Sequence, residues 1–174
     1  PGVKPGMVDA VCCQTDIAPT IAHLMGFPLI DGRDATGRTS SERGKRPDVY
    51  LRRQDGRVLT EVLDLDGRGR LRKRPERVYI FDLDGLSSSE LAYRLERPGG
   101  DIPNVRRLVE GAAGFRYGCV VTFPSITWPS HNSIGTGAWC GHHDIVNPTY
   151  YLRDRRQVVT PQGQQFDTAA FLSG

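Results

Sequence analysis

The sequence Phe123-Pro-Ser-Ile-Thr-Trp-Pro-Ser-His-Asn-Ser-Ile-Gly-Thr-Gly137 marks a predicted transition from a strand to a helix, and it is the most informative segment of this chain. An apolar run, Cys119-Val-Val-Thr122, precedes it and predicts a buried strand. Pro129 then favours the start of a helix, because a proline in the first helical turn loses no intrahelical hydrogen bond. Thr127 is therefore expected at a helix N-terminus, where unpaired N–H groups and the helix dipole attract anions.

Thr127 thus offers a hydroxyl group at a position where a phosphate could bind. A neutral alcohol is a weak nucleophile, so a base or a metal ion must help it to ionise before it can attack phosphorus. The simpler alternative is that Thr127 only caps the helix.

Size and composition exclude several classes of protein. The 174 residues are enough for one compact domain, and 38% of them are hydrophobic and 25% charged. No apolar run approaches the roughly 20 residues that a membrane helix needs. A net charge of +3 is too small to argue for binding to a nucleic-acid polymer, and no secretory signal opens the chain.

The four cysteines are Cys12, Cys13, Cys119 and Cys140. No C-x-x-C pair occurs among them, which argues against a zinc knuckle and against a thioredoxin-like site. We therefore expect free, buried thiols rather than a disulfide.

A second buried strand is predicted at Val78-Tyr-Ile-Phe81, a β-rich run typical of a parallel sheet. Two carboxylates, Asp82 and Asp84, follow it. Ligands of open α/β sheets bind at the carboxyl ends of the strands. Because the strand that ends near Thr122 is expected at the same edge, the sequence predicts that Asp84 and Thr127 lie close together.

Capping residues predict three further helices. Each has a polar residue or a proline near its start, and two end at a glycine. The expected starts and ends are Thr15 or Asp16 and Gly26, Ser87 and about Glu96, and Pro103 and Gly111 or Gly114.

Residues 33–77 predict a linker followed by a small β-hairpin. Val49-Tyr-Leu51 and Val58-Leu-Thr-Glu-Val-Leu63 flank Gln54-Asp-Gly56, a hairpin-type turn. Basic residues crowd the end of this region, and no aromatic residues lie between them to stack on bases. We therefore expect a solvated surface there rather than a nucleic-acid site. These residues are Arg68, Arg70, Arg72, Lys73, Arg74 and Arg77.

Three blocks resemble the alkaline phosphatase superfamily, most closely its nucleotide pyrophosphatase/phosphodiesterase branch. Val78-Tyr-Ile-Phe-Asp-Leu-Asp-Gly85 resembles the first strand, which ends in a metal-binding Asp-Gly. Thr122-Phe-Pro-Ser-Ile-Thr-Trp-Pro-Ser-His131, with Thr136-Gly137, resembles the nucleophile motif. His142-His-Asp-Ile-Val-Asn147 resembles a block whose Asn helps to hold the phosphoryl oxygens.

The resemblance implies three residue roles. Asp84 would be a metal ligand, Thr127 the nucleophile and a bridging metal ligand, and Asn147 a donor to the phosphoryl oxygens. The chain departs from the family pattern at Ser130, where Asn is usual, and Asn147 comes one residue early. The implied cofactors are two divalent metal ions, Zn2+ in this branch, which together need roughly six protein ligands.

The implied fold is α/β, a three-layer α/β/α sandwich with a mainly parallel sheet, present only in part, plus the hairpin segment. The implied function is metal-dependent hydrolysis of a phosphate mono- or diester, such as a nucleotide, through a phosphothreonine. No nucleic-acid polymer and no membrane segment are expected. The family is commonly extracytoplasmic, and the chain itself leaves its localisation open.

A fourth block is out of the usual order. Gln14-Thr-Asp-Ile-Ala-Pro-Thr-Ile-Ala-His-Leu-Met-Gly26 resembles the C-terminal end of the same fold, yet it precedes the first strand. We divide the chain into residues 1–32, resembling that end, a linker at 33–77, and the nucleophile-bearing portion at 78–174. We expect a fragment, a permutation or a tandem junction that needs the rest of its polypeptide. Alone it should be inactive and bind zinc weakly.

Two alternative functions stay open. Phe81-Asp-Leu-Asp-Gly85 also resembles the first motif of haloacid-dehalogenase phosphatases, with Asp82 as the nucleophile, although Leu86 replaces the usual Thr. The other alternative is a non-catalytic, phosphatase-like interaction module, which a shortage of metal ligands favours.

Overall fold

Helices and short strands alternate along the chain. The computed structural model describes residues 2–26, 54–97, 102–143, 145–152 and 156–159. The helices in these ranges are α1 Ile17–Met25, α2 Ser88–Glu96, α3 Pro103–Glu110, α4 Thr127–Thr136 and α5 Cys140–His143. The strands are β1 Gly6–Val8, β2 Cys12–Cys13, β3 Ala113–Phe115, β4 Cys119–Val120, β5 Tyr150–Leu152 and β6 Gln157–Val159.

Parallel pairing joins strands that are distant in sequence. Strand β1 pairs in parallel with β3, with Met7 opposite Gly114. Strand β2 pairs in parallel with β4, with Cys12 opposite Cys119. Strands β5 and β6 form an antiparallel pair. The predicted α/β class is therefore confirmed as a partial α/β domain, whose sheets have two strands each in the described ranges.

The chain divides into two compact units. The first combines Pro1–Val11 with Thr60–Gly118, and the second combines Cys12–Leu59 with Cys119–Gly174. In the first unit, Leu63 is completely buried and forms a bridge with Val3. The predicted division into residues 1–32, 33–77 and 78–174 is based on sequence resemblance, whereas these two units are defined by contacts. The predicted division therefore stays a prediction.

The prediction of a buried strand at residues 78–81 is wrong for the described structure. These residues belong to no strand, and the side chain of Phe81 is 80% exposed. A β-rich run becomes a buried strand only where neighbouring strands pair with it and another layer covers it. Within the described ranges, no strand pairs with this run.

The strand predicted before Thr122 forms, but the expectation that it is buried is wrong. Strand β4 covers Cys119–Val120, and both residues are exposed. Only Thr122, just after the strand, is buried. The strand has a partner on one side alone in the described ranges, so most of its apolar surface stays uncovered.

The predicted hairpin around Gln54-Asp-Gly56 is also wrong where the structure describes it. Residues 54–59 form no strand, and Thr60–Val62 is a 3₁₀ turn. The other predicted strand, at residues 49–51, lies outside the described residues, as do residues 33–48 before it. A turn forms at Asp66, whose carboxylate accepts hydrogen bonds from the N–H groups of Arg68 and Arg70.

The predicted bounds of the three other helices hold, but the predicted side-chain cap of α1 is wrong, because Asp16 at its N-cap makes no capping hydrogen bond. Ser87 accepts a hydrogen bond from the N–H of Glu90 at the start of α2. Helix α1 ends at Gly26, which adopts a left-handed φ of 76° without strain because it has no side chain. Helix α3 begins at Pro103 and ends at Gly111. None of the helices in the described ranges is long and apolar enough to cross a membrane.

The six basic residues between Arg68 and Arg77 are all exposed, as expected for a solvated surface. Arg72 forms an ion pair with Asp64, and the distance between its Nε and the carboxylate is 3.3 Å. An exposed pair of this kind contributes little to stability.

Candidate active site

Thr127 is the first residue of helix α4, as the sequence predicts. Ile126 precedes it in an extended conformation, and Thr127 is exposed. Pro129 is the third helical residue, so the helix begins two residues earlier than the proline alone suggested. The side chain of Pro129 is buried. The N-terminus of an α-helix carries a partial positive charge, so this end of α4 favours an anion next to the Thr127 hydroxyl, although Pro129 supplies no N–H.

Gln14 holds both ends of the loop that leads to Thr127. Its side-chain Nε2 donates to the carbonyl of Ser130, at 3.0 Å, in the first turn of α4. Its Oε1 accepts from the N–H of Thr122, at 3.1 Å, at the other end of the loop. Gln14 is only 3% exposed, so these hydrogen bonds are shielded from water.

Sequence reasoning missed this role of Gln14. The residue opens the block that resembles the end of the family fold, and the structure packs that block against α4 in one unit. A buried glutamine with an oxygen and a nitrogen on one amide can join two backbone segments. No periodicity or spacing in the chain shows which segments they are.

Asp16 connects the same block to residues 54–59. Its two carboxylate oxygens accept from the N–H of Cys13, at 2.8 Å, and from the N–H of Arg57, at 2.9 Å. The hydroxyl of Thr20 donates to the Asp16 carbonyl and accepts from the N–H of Leu59. The segment predicted as a hairpin therefore acts as a strap across the start of α1.

The same strap also closes the far end of α4. The N–H groups of Asp55 and Gly56 both donate to the carbonyl of Gly137, at 2.9 Å each. The Asp55 carboxylate accepts from the N–H of Trp139, at 2.8 Å, and contacts His142 Nδ1 at 2.5 Å. Helix α4 is thus fixed at its first turn by Gln14 and at its C-terminus by the strap.

The two histidines of α5 have structural partners. The N–H of Ile145 donates to Nδ1 of His143, so the ring proton lies on Nε2. That nitrogen therefore donates to the hydroxyl of Ser133, at 3.1 Å, and does not take its proton. Ser133 and His143 are both buried, and this pair is not an activated nucleophile.

The other predicted site residues lie on exposed irregular segments. Asp84 lies in a turn of the first unit, and Asn147 lies in a bend of the second unit, which also contains Thr127. Asp82 is exposed as well. Because Asp84 and Thr127 belong to different units, their meeting at one sheet edge stays a prediction.

The described side chains do not fit a two-metal centre by themselves. Among them, no group of three or more His, Cys, Asp and Glu residues is placed to hold one ion. Two zinc ions need roughly six protein ligands, and Asp84 with Thr127 would supply two of them.

Comparison with known proteins identifies the family. The family model of type I phosphodiesterase / nucleotide pyrophosphatase matches residues 78–171, which is more than half of the chain. No curated protein and no solved structure matches. The match contains all three blocks that carry the sequence resemblance, including the exposed start of α4. The chain therefore belongs to the type I phosphodiesterase / nucleotide pyrophosphatase family.

Proposed function

We propose that this protein provides the nucleophile of a phosphoric ester hydrolase, and that the nucleophile is Thr127. The observation that carries the proposal is the exposed Thr127 at the first position of α4, within the region that matches the family. The substrate would be a phosphate mono- or diester such as a nucleotide.

The proposed reaction has two steps. The Thr127 oxygen attacks phosphorus, a bond forms between them, and the bond to the leaving oxygen breaks. Water then attacks the phosphothreonine and releases the phosphate product. The positive end of the α4 dipole would stabilise the negative phosphoryl oxygens, and the Asn147 side chain would donate a hydrogen bond to them.

Gln14 has a positioning role in this proposal. Its hydrogen bonds to Thr122 and Ser130 support the proposal, because they keep the loop and the first turn of α4 in one arrangement. A fixed nucleophile needs less reorganisation at the moment of reaction.

Metal dependence is part of the proposal. Asp84 and Thr127 are two proposed ligands of two divalent ions, and zinc is the proposed metal. The count of described ligands supports a further proposal, that other parts of the polypeptide complete the site. This chain alone would then be inactive and would bind zinc weakly. Calorimetry that finds tight binding of two zinc ions by the 174-residue chain would contradict this.

The function is tested on the protein as its gene encodes it, with bis(4-nitrophenyl) phosphate as the substrate and zinc in the buffer. Thr127→Ala should lower kcat by a factor on the order of 10³ or more, because the attacking oxygen is lost. Thr149→Ala replaces another exposed threonine and should keep kcat within about twofold. Hydrolysis that survives Thr127→Ala would refute the assignment.

Two further variants separate the alternatives. If Asp82 is the nucleophile of a haloacid-dehalogenase-like reaction, Asp82→Asn abolishes hydrolysis and Thr127→Val spares it. If the protein is a non-catalytic module, which the shortage of described metal ligands favours, no phosphate ester is hydrolysed at any zinc concentration.

A further inference from the structure

Two cysteines lie directly opposite each other on the parallel strands β2 and β4. We propose that Cys12 and Cys119 are a disulfide-forming pair that a small disulfide oxidant, such as glutathione disulfide, converts to a covalent cross-link. All four cysteines are free thiols in the structure, so the pair is described in its reduced form. The expectation that the thiols are buried is wrong, because Cys119 is exposed and the other three are half-buried.

The strand register supplies the geometry. Cys12 and Cys119 are paired residues of neighbouring strands. Paired residues of neighbouring strands have Cα atoms roughly 5 Å apart, which lies within the range that a disulfide bridges. The Cys119 thiol donates to the carbonyl of Val120 at 3.6 Å, and it lies near enough to Cys12 for each thiol to shift the pKa of the other.

The other two thiols have different surroundings. Cys13 is opposite Val120, and successive residues of a strand point to opposite faces. The Cys140 thiol donates to the carbonyl of Phe123. The structure therefore predicts one selective cross-link rather than a mixture.

The exchange balances with one molecule of oxidant. The Cys12 thiolate attacks a sulfur of glutathione disulfide, forms a mixed disulfide and releases one glutathione thiolate. Cys119 then loses its proton and attacks the Cys12 sulfur, which releases the second glutathione. Two protein thiols are oxidised to one disulfide, and one glutathione disulfide is reduced to two thiols.

The surroundings predict that the exchange is slow near neutral pH. Burial raises the pKa of Cys12, although the neighbouring Cys119 thiol offsets part of this effect. Cys119 is exposed as a residue, yet partial desolvation of its thiol, together with the neighbouring Cys12, raises its pKa to about 12. Only the thiolate attacks a disulfide, so the rate should rise roughly tenfold per pH unit in mildly alkaline buffer.

The cross-link would act on the segments that hold the start of α4. Cys12 lies two residues before Gln14, and strand β4 leads to Thr122, whose N–H donates to Gln14. Oxidation would therefore link β2 and β4 covalently, just before the two residues that this hydrogen bond joins.

The test uses the native full chain with oxidised glutathione in mildly alkaline buffer. After the remaining thiols are blocked with iodoacetamide, the unreduced protein is digested with trypsin and chymotrypsin and the peptides are analysed by mass spectrometry. Cleavage after Trp139 separates Cys119 from Cys140, and peptide fragmentation distinguishes Cys12 from Cys13. The Cys12–Cys119 cross-link should exceed every other pair by about tenfold or more.

Variants and denaturant supply the controls. Cys13→Ser and Cys140→Ser should still form the cross-link, whereas Cys12→Ser should not. In urea the unfolded wild-type chain should give mixed pairings. Cross-links of the native wild type that map mainly to Cys13 or Cys140 would overturn the proposal, as would their absence when the unfolded chain readily forms them.

Discussion

Residues 78–85 and residues 119–137 both carry family motifs, but only the second segment contains a strand and a helix. The first segment forms no strand, and Phe81 and Leu83 are largely exposed. The second contains a paired strand and a helix that Gln14 fixes at its first turn and the strap at residues 54–59 fixes at its C-terminus. The difference shows which structural signals are local and which depend on distant partners.

The helix of the second segment is specified mainly within the segment. Pro129 lies in the first turn, and Gly137 ends the helix with a φ of 72°, a conformation that glycine adopts without strain. A strand, in contrast, is stabilised by pairing and by a covering layer. Residues 78–81 have the composition of a strand but no strand partner in the described ranges.

The largest effect should come from matched leucines of the first unit. Leu63→Ala removes a side chain that is 0% exposed and should lower the free energy of unfolding by about 2–5 kcal/mol. Leu83→Ala removes one that is 60% exposed and should change it by less than about 0.5 kcal/mol. Urea denaturation measures both values. A large loss for Leu83→Ala would show that residues 78–85 are packed after all.

A smaller effect tests how the strap holds the second segment. A Cβ atom at Gly56 would lie 2.0 Å from the carbonyl oxygen of Thr15, so Gly56→Ala must displace backbone. We expect a loss of about 1–3 kcal/mol in the free energy of unfolding. Gly67→Ala is the control, because nothing lies within 4 Å of its added Cβ. Equal unfolding free energies for the two variants would contradict the strap.

The smallest effect is confined to alkaline pH. The folded state raises the pKa of Cys119 from 9.0 to about 12, mainly because its thiol is partly desolvated although the residue is exposed. The folded chain therefore keeps this proton after the unfolded chain has lost it. The reduced protein should therefore lose unfolding free energy as pH rises from about 9 towards about 12. Cys119→Ser should lose less over the same window. Identical pH dependence in both proteins would contradict the described surroundings of β4.

The sequence predicted the parts of the site that depend on neighbouring residues. Thr127 at the start of α4, the cap at Ser87 and the end of α1 at Gly26 follow from helix chemistry along the chain. The role of Gln14 did not follow, because it depends on which backbone groups lie against its buried amide. The strap at residues 54–59 was predicted as a hairpin, since Asp-Gly favours a turn whatever the turn contacts.

The central claim is that Thr127 becomes phosphorylated during turnover. Acid quenching of the gene-encoded protein during hydrolysis of a phosphate ester, followed by mass spectrometry of its peptides, tests this most directly. The account predicts phosphate on Thr127 in the wild type and none at this position in Thr127→Ala. Phosphate on Asp82, or turnover without any phosphorylated peptide, would contradict it.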